Sequence, residues 1–294
     1  MPALEPEFVL VELNPAPSRE AMTSADDIVQ LDPDHPGFRD AAYRARRNAI
    51  AKLALDYQEG APAPLVEYLP EEQQVWQTVW RELAPLHQLR AARAYHEALE
   101  SVPIDRVTVP QLRTVNGLLQ RASGFAMLPV AGLVSHRTFL GFMGKSVFLS
   151  TQYMRHPSVP LYTPEPDVVH ELVGHAATLG HPTFAALNQA FGRAAARVSD
   201  ADLEKVGRIY WYTMEFGAVM ESGEPKAYGA GLLSSFGELG RYVREAKLKP
   251  IDWEEMGARP YDPTQYQDVL YVFDRPFEEL AGRLGDYLDS LASA

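Results

Sequence analysis

Residues 164–177 read PEPDVVHELVGHAA, and a Gly180-His181-Pro182 stop follows shortly after. Pro166 and Asp167 form a helix start, with Asp167 at the cap, so the stretch predicts a helix over 166–180. Between those signals nearly every position is apolar except His170, Glu171 and His175. A helix that is apolar almost all round is buried. Polar side chains on it must find hydrogen-bond partners or bind something. Such a helix needs other elements packed around it, and the pattern outward from it says which kind.

Helical patterns recur over 37–58, 70–98, 110–121, 183–198, 200–221 and 275–291. In LPEEQQVWQTVWREL (69–83), Pro70 suits a first helical position and the two glutamates favour the positive end of the dipole. Val75, Trp76, Val79, Trp80 and Leu83 then make one apolar stripe, read as core. Strand-like pieces are few: SVFLS at 146–150 and DVLYVF at 268–273. PVAGLVSHRTFLG (129–141) carries Pro, Gly and Ser and is expected as a loop. Residues 1–30 have no clear period and are expected as a loosely ordered arm, leaving 31–294 as one domain. The expected fold class is mostly α, a single domain with a small β-sheet.

Composition narrows the function. A chain of 294 residues with 46% hydrophobic content can bury a sizeable core. Its formal charge of −12 argues against nucleic acid or an anionic membrane as partner, since both need a positive surface. With no cysteine, thiolate metal sites, disulfides and cysteine nucleophiles are excluded. No signal peptide is read at the N-terminus, and the apolar stretch at 124–134 is far short of the roughly 20 residues a membrane span needs. A soluble, cytoplasmic protein is expected.

The histidines are five apart. On an α-helix that puts them about 140° apart, against about 40° for the four-residue spacing of the H-E-x-x-H peptidase site. Both can reach one ion only with a wide bite or with local helix distortion near Gly174. Two buried histidines bonded to backbone remain the plainer alternative. A third ligand has to be a carboxylate or another histidine. In IYWYTMEFGAVM (209–220), Glu215 is the only acid in a run that is apolar on every face. A buried carboxylate is paired or ligates a metal, and an ion pair with an arginine fits Glu215 alone equally well. Taken together, His170, His175 and Glu215 make a two-His-one-carboxylate set, which leaves open positions and typically holds non-haem Fe(II).

At this point the sequence resembles the aromatic amino acid hydroxylases, the tetrahydropterin-dependent iron monooxygenases. LDPDHPGFRDAAYRARR (31–47), PVAGLVSHRTFLG (129–141), TQYMRH (151–156), YTPEPDVVHELVGH (162–175), IYWYTMEFG (209–217) and KAYGAGLLSSFGEL (226–239) follow in that family's order. The resemblance implies the family's mostly helical catalytic domain, in a bacterial-type, monomeric form. It implies Fe(II) on His170, His175 and Glu215. It implies a reduced pterin such as tetrahydrobiopterin stacked on Phe139, lined by Gly132, Leu133 and Val134, with Glu171 and Tyr210 nearby. It further implies that Arg155 binds the substrate carboxylate, with Thr163, Asp167 and Ser234 as supporting polar contacts. Trp211 and Pro166 would wall the aromatic ring.

The reaction so implied is O2-dependent hydroxylation of L-phenylalanine to L-tyrosine. Trp211 resembles phenylalanine and tyrosine hydroxylases, and Pro263 falls where tyrosine hydroxylases carry an acid, with Asp262 beside it. Ala176-Ala177, His136 and Leu149 depart from the family pattern, so meta-hydroxylation of phenylalanine, or hydroxylation of tyrosine or tryptophan, stands as the alternative. A zinc hydrolase and a non-catalytic helical binding protein are the readings from other classes.

Overall fold

The computed structural model describes residues 28–132 and 134–291, so most of the expected arm at 1–30 lies outside the described residues. Helix α1 (Ala41–Leu55) opens at Asp40, whose carboxylate accepts the Tyr43 N–H. Helix α2 (Pro70–Arg90) has Pro70 at its first position, and Glu72 reaches back to the Leu69 N–H. Its stripe of Val75, Trp76, Val79, Trp80 and Leu83 is buried, as expected of core. The single helix expected over 70–98 breaks at Ala91-Ala92. There the Ala92 N–H leaves the helix to donate to the Ala227 carbonyl, and α3 (Arg93–Ser101) restarts. Helix α4 (Leu112–Ala122) follows.

Strands β1 (Ala126–Pro129) and β2 (Val147–Ser150) pair in parallel. Between them the expected loop over 129–141 is half helix: α5 (His136–Met143) starts where the Ser135 hydroxyl accepts the Thr138 N–H. Leu140 and Met143 are buried on it. The serine cap and the two buried side chains outweigh the nearby Pro and Gly that suggested irregular chain.

Two segments wind as π-helix, His170–Ala176 and Trp211–Glu215. The first runs on through α6 (Ala177–Leu179) to α7 (Pro182–Ala195), and the second continues α8 (Asp200–Tyr210). The helix expected to reach residue 221 therefore stops at Glu215. Beyond it, β3 (Ala218–Glu221) and β4 (Glu224–Ala227) form a hairpin. Its turn residues Ser222 and Gly223 have φ of 52° and 82°, the positive-φ pair that tight hairpins use. After α9 (Ala230–Ser234), α10 (Phe236–Glu245), β5 (Lys247–Pro250) and α11 (Trp253–Ala258) comes β6 (Val269–Phe273), which joins a sheet of order β4-β3-β6-β5. Helix α12 (Glu278–Leu291) buries Leu280, Leu284 and Leu288 and packs on α7. The class is as expected, mostly helical, but the minor β structure is two small sheets rather than one. No helix among the described residues is long and apolar enough to cross a membrane.

His87, on α2, locks that helix to α9. Its Nε2 donates to the Leu233 carbonyl at 2.7 Å, and the ring sits edge-on to Trp80 and Tyr95. Burial pushes its pKa down to about 4 from 6.5. The unfolded chain therefore takes up a proton that the folded chain refuses. Stability is lost as pH falls through that window, by about 3 kcal/mol from this one ring. Denaturant unfolding between pH 7 and 4 measures it. The His87→Gln variant, whose amide keeps a donor for Leu233, is expected to lose stability less steeply than the wild type; equal slopes would remove His87 as the cause.

Candidate metal centre and its cavity

The π-helical turn settles the spacing question. Its N–H groups reach back five residues rather than four, so residues 170 and 175 stand one turn apart on a shared face. Gly174 lets the turn pack closely: a Cβ there would lie 2.8 Å from the Ala230 carbonyl oxygen. Thr178 adds hydroxyl bonds to the Gly174 and His175 carbonyls. Glu215 arrives at the end of the second π-helical segment. The Nε2 atom of His175 lies 3.0 Å from that of His170 and 3.0 Å from a Glu215 oxygen, and His170 Nε2 is 3.6 Å from the other oxygen. Ligands sharing one first-row ion at about 2.1 Å stand about 3.0–3.4 Å apart, so the three groups fit a single ion. Among the described residues no other group of three or more potential ligands converges this way.

The next layer of contacts fixes the donors. The Ser234 hydroxyl donates to the Ala230 carbonyl at 2.7 Å and so presents its oxygen to His170 Nδ1 at 2.9 Å. His170 then carries its proton on Nδ1 and its lone pair on Nε2, facing the cluster. Burial drives the His170 pKa down to about 4, which keeps that ring neutral. Burial also opposes charge on His175 and Glu215, but their mutual attraction wins: His175 is raised and Glu215 held below the usual carboxylate range. The expected alternative of an arginine partner for Glu215 is not what the structure shows; its neighbours are the two imidazoles.

The triad opens into a cavity of about 660 Å³. Gly132, Val134, Phe139, Glu171 and Tyr210 of the expected pterin set line it, as do Arg155, Thr163, Pro166, Trp211 and Ser234 of the expected substrate set. Leu133 lies outside the described residues. Phe139 is half-buried and packs edge-on to Phe148 and Tyr210. Glu171 accepts the N–H and the hydroxyl of Thr151, and burial lifts its pKa to about 7. Thr163 turns its hydroxyl to the Glu165 carbonyl.

Asp167 does not line the cavity. It is fully buried, and its two oxygens take Nε and Nη2 of Arg155 at 2.9 and 2.8 Å, the Arg155 N–H, and the His170 N–H. Thus Asp167 caps the helix and aims the arginine at once, leaving Arg155 Nη1 for a ligand.

Sequence reasoning missed several groups around this cavity. Tyr261 stacks on Trp211 with centroids 4.1 Å apart and rings 8° from parallel. Glu238 lines the cavity with its carboxyl buried. Thr151 holds Glu171, and Gln267 holds the Trp211 indole. Thr151 and Glu238 lie inside the motifs TQYMRH and KAYGAGLLSSFGEL, and Tyr261 and Gln267 inside the turn PYDPTQYQ (260–267), but no spacing within these stretches singled them out.

A sequence profile described as biopterin-dependent aromatic amino acid hydroxylase matches residues 18–293. Phenylalanine-4-hydroxylase of Rattus norvegicus is 44% identical over 248 residues, covering 83% of this chain and 55% of that protein. Tyrosine 3-monooxygenase of Mus musculus is 42% identical over 262 residues, covering 87% and 52%. The chain thus spans about half the length of the curated relatives it matches. Among solved structures, Chromobacterium violaceum phenylalanine hydroxylase with bound iron(III) and oxidised cofactor 7,8-dihydrobiopterin has a TM-score of 0.72 at 30% identity, over 80% of this chain and 86% of that one.

Equilibrium dialysis of the metal-free chain against Fe(II) under anaerobic conditions is expected to give one ion per chain. Glu215→Gln and His175→Gln should each abolish tight binding, and Ser234→Ala should weaken it about 10- to 100-fold. Full-affinity binding by Glu215→Gln would remove that residue from the ligand set.

Proposed function

This chain belongs to the biopterin-dependent aromatic amino acid hydroxylases, and from that premise we propose that it hydroxylates L-phenylalanine to L-tyrosine, using Fe(II), a tetrahydropterin and O2. Residues 31–294 are its catalytic domain in this reading, and the enzyme is cytoplasmic and monomeric. The observation that carries the proposal is the pairing, in one cavity, of a two-His-one-carboxylate set with a buried arginine that has a donor to spare.

Fe(II) and a reduced pterin, when bound, would supply the activation of O2 for ring hydroxylation. The chain's own groups do the rest. His170, His175 and Glu215 would hold the ion and, as three ligands, would leave coordination positions for other groups. Phe139, half-buried at the cavity wall, would offer a flat face to the pterin, with Gly132, Val134, Glu171 and Tyr210 lining the same cavity; Leu133 keeps the pterin role that the resemblance implies. Arg155 takes the substrate carboxylate, its plane held by Asp167 so that little freedom is lost on binding. Thr163 and Ser234 flank that carboxylate, while Pro166, Trp211 and Tyr261 make an apolar slot for the ring. The enclosing side chains exclude water from the reacting atoms.

Tyrosine as substrate is a second reading, favoured by the tyrosine 3-monooxygenase relatives. The cavity supports phenylalanine over it. Pro263 lines the wall, while the Asp262 carboxylate is turned outward and accepts the Thr264 N–H and hydroxyl. A phenol hydroxyl would meet proline rather than an acid there.

An aerobic assay of Fe(II)-loaded protein with tetrahydropterin and equimolar phenylalanine, tyrosine and tryptophan is expected to yield p-tyrosine as the dominant product. A dominant m-tyrosine, DOPA or 5-hydroxytryptophan peak would overturn the substrate. Arg155→Lys, which loses the planar fork, should reduce kcat/KM for phenylalanine about 100-fold, chiefly through KM; an unchanged KM would take the carboxylate away from Arg155.

A further inference from the structure

Gln267 does not line the cavity, yet every hydrogen-bonding group it has on the cavity side is committed to the cavity's wall. Its Oε1 accepts the Trp211 indole N–H at 2.9 Å. Its Nε2 donates to the carbonyls of Gln265 at 2.9 Å and Asp262 at 3.3 Å. Its backbone N–H donates to Glu238 Oε1 at 2.9 Å. One side chain thus ties the second π-helical segment, which carries Trp211, to the 260–267 turn, which carries Tyr261 and Pro263. Its backbone ties that turn to α10.

We propose that Gln267 is a positioning residue that sets the orientation of the Trp211 indole, and through it the width of the slot that selects the substrate ring. An indole at a cavity wall has two broad choices at its outer torsion, and burial area alone does not decide between them. The stack on Tyr261 fixes the ring plane, but a stack tolerates sliding and a flip within that plane. The Nε1–H bond to Gln267 removes the flip, because only one edge of the indole carries a donor. Phe216 closes the other side with centroids 4.6 Å away, so the ring has no second resting place without losing that bond.

An amide is the residue type this position requires. It offers an acceptor to the indole and two donors to the turn carbonyls from a single planar group. A carboxylate would set its second oxygen against those carbonyls, and an apolar side chain would leave both the indole N–H and the carbonyls unmatched. The Glu238 carboxyl supports the arrangement from below: it is buried and accepts the Gln267 N–H, which pins the end of the turn against α10.

This inference rests on the reading of the cavity as an aromatic amino acid site, and the test separates the two. The Fe(II)-loaded full chain is labelled with 5-fluorotryptophan in four forms: wild type, Gln267→Leu, Trp211→Phe and the double variant. Trp211→Phe identifies the Trp211 fluorine resonance by its loss. In Gln267→Leu that resonance is expected to shift or split, while those of Trp76, Trp80 and Trp253 stay in place. In unlabelled proteins, Gln267→Leu should raise KM for phenylalanine about fivefold with kcat within about twofold, and narrow the preference for phenylalanine over tryptophan. On the Trp211→Phe background, which has no indole donor, the same substitution should change KM by less than about twofold. An unmoved Trp211 resonance, or the full KM effect persisting without the indole, would overturn the proposal. Should the wild type oxidise none of the three amino acids, the reading of the reaction fails while the fluorine spectrum still decides the role of Gln267. If Gln267→Leu does not fold, Gln267→Met, which keeps length and flexibility without the amide, takes its place with the same expectations.

Discussion

In a π-helical turn each N–H reaches the carbonyl five residues back, and between His170 and Ala176 that pitch puts two imidazoles on one face of one helix. The geometry is rare because its hydrogen bonds are poorer than those of an α-helix, so something else must hold it. Two features do so here. Gly174 admits the α9 backbone to a distance no side chain would allow. Thr178 spends its hydroxyl on carbonyls of the turn, and in the second π-helical segment Thr213 does the same for Ile209. The close approach of α9 also brings Ser234 within reach of His170 Nδ1. A single packing contact thus shapes the turn and sets the tautomer of the ligand it carries.

Asp167 couples that turn to Arg155. Its carboxylate is desolvated, which opposes ionisation, but the adjacent Arg155 guanidinium and the two backbone N–H groups hold its pKa below the ordinary range. A buried ion pair of this kind adds little net stability, because desolvation consumes most of the attraction. Its value is in direction. The Arg155 guanidinium and the His170 backbone N–H hang from the same carboxylate. A movement of one is therefore felt by the other, which links Arg155 to the imidazole cluster.

How much of this was legible in the sequence depends on whether the signal was chemical or geometric. Buried histidines and a lone acid in apolar runs are chemical oddities, and His170, His175 and Glu215 stood out for that reason. The wide spacing pointed to distortion near Gly174, though not to its form, because nothing in a string of apolar residues distinguishes a five-residue pitch from a four-residue one. Asp167 was readable as a cap but not as the partner of Arg155, twelve positions away on another segment. The strand after Glu215 was hidden because AVM is as apolar as the helix before it; the Ser222-Gly223 turn was the weak clue. Helix α5 was masked by the Pro and Gly around it. Gln267 and Glu238 lay in or beside stretches that stood out but did not stand out themselves, since polar residues in a turn and on an amphipathic helix are what solvent exposure also produces.

The charge of the chain and the charge of its cavity are separate matters. The protein carries a formal −12, and four glutamates line the cavity: Glu165, Glu171, Glu215 and Glu238. Glu165 is met by Arg47 at 2.9 Å and Glu215 by the imidazoles. Burial lifts both Glu171 and Glu238 to about 7, so each keeps its proton to a higher pH than an ordinary carboxyl does. The interior field is therefore far weaker than a count of acids suggests. Arg155, buried and oriented by Asp167, is left with Nη1 facing a largely apolar space. That is what recognition of a zwitterion with a flat ring requires: one directional contact for its carboxylate and an uncharged surface for the rest.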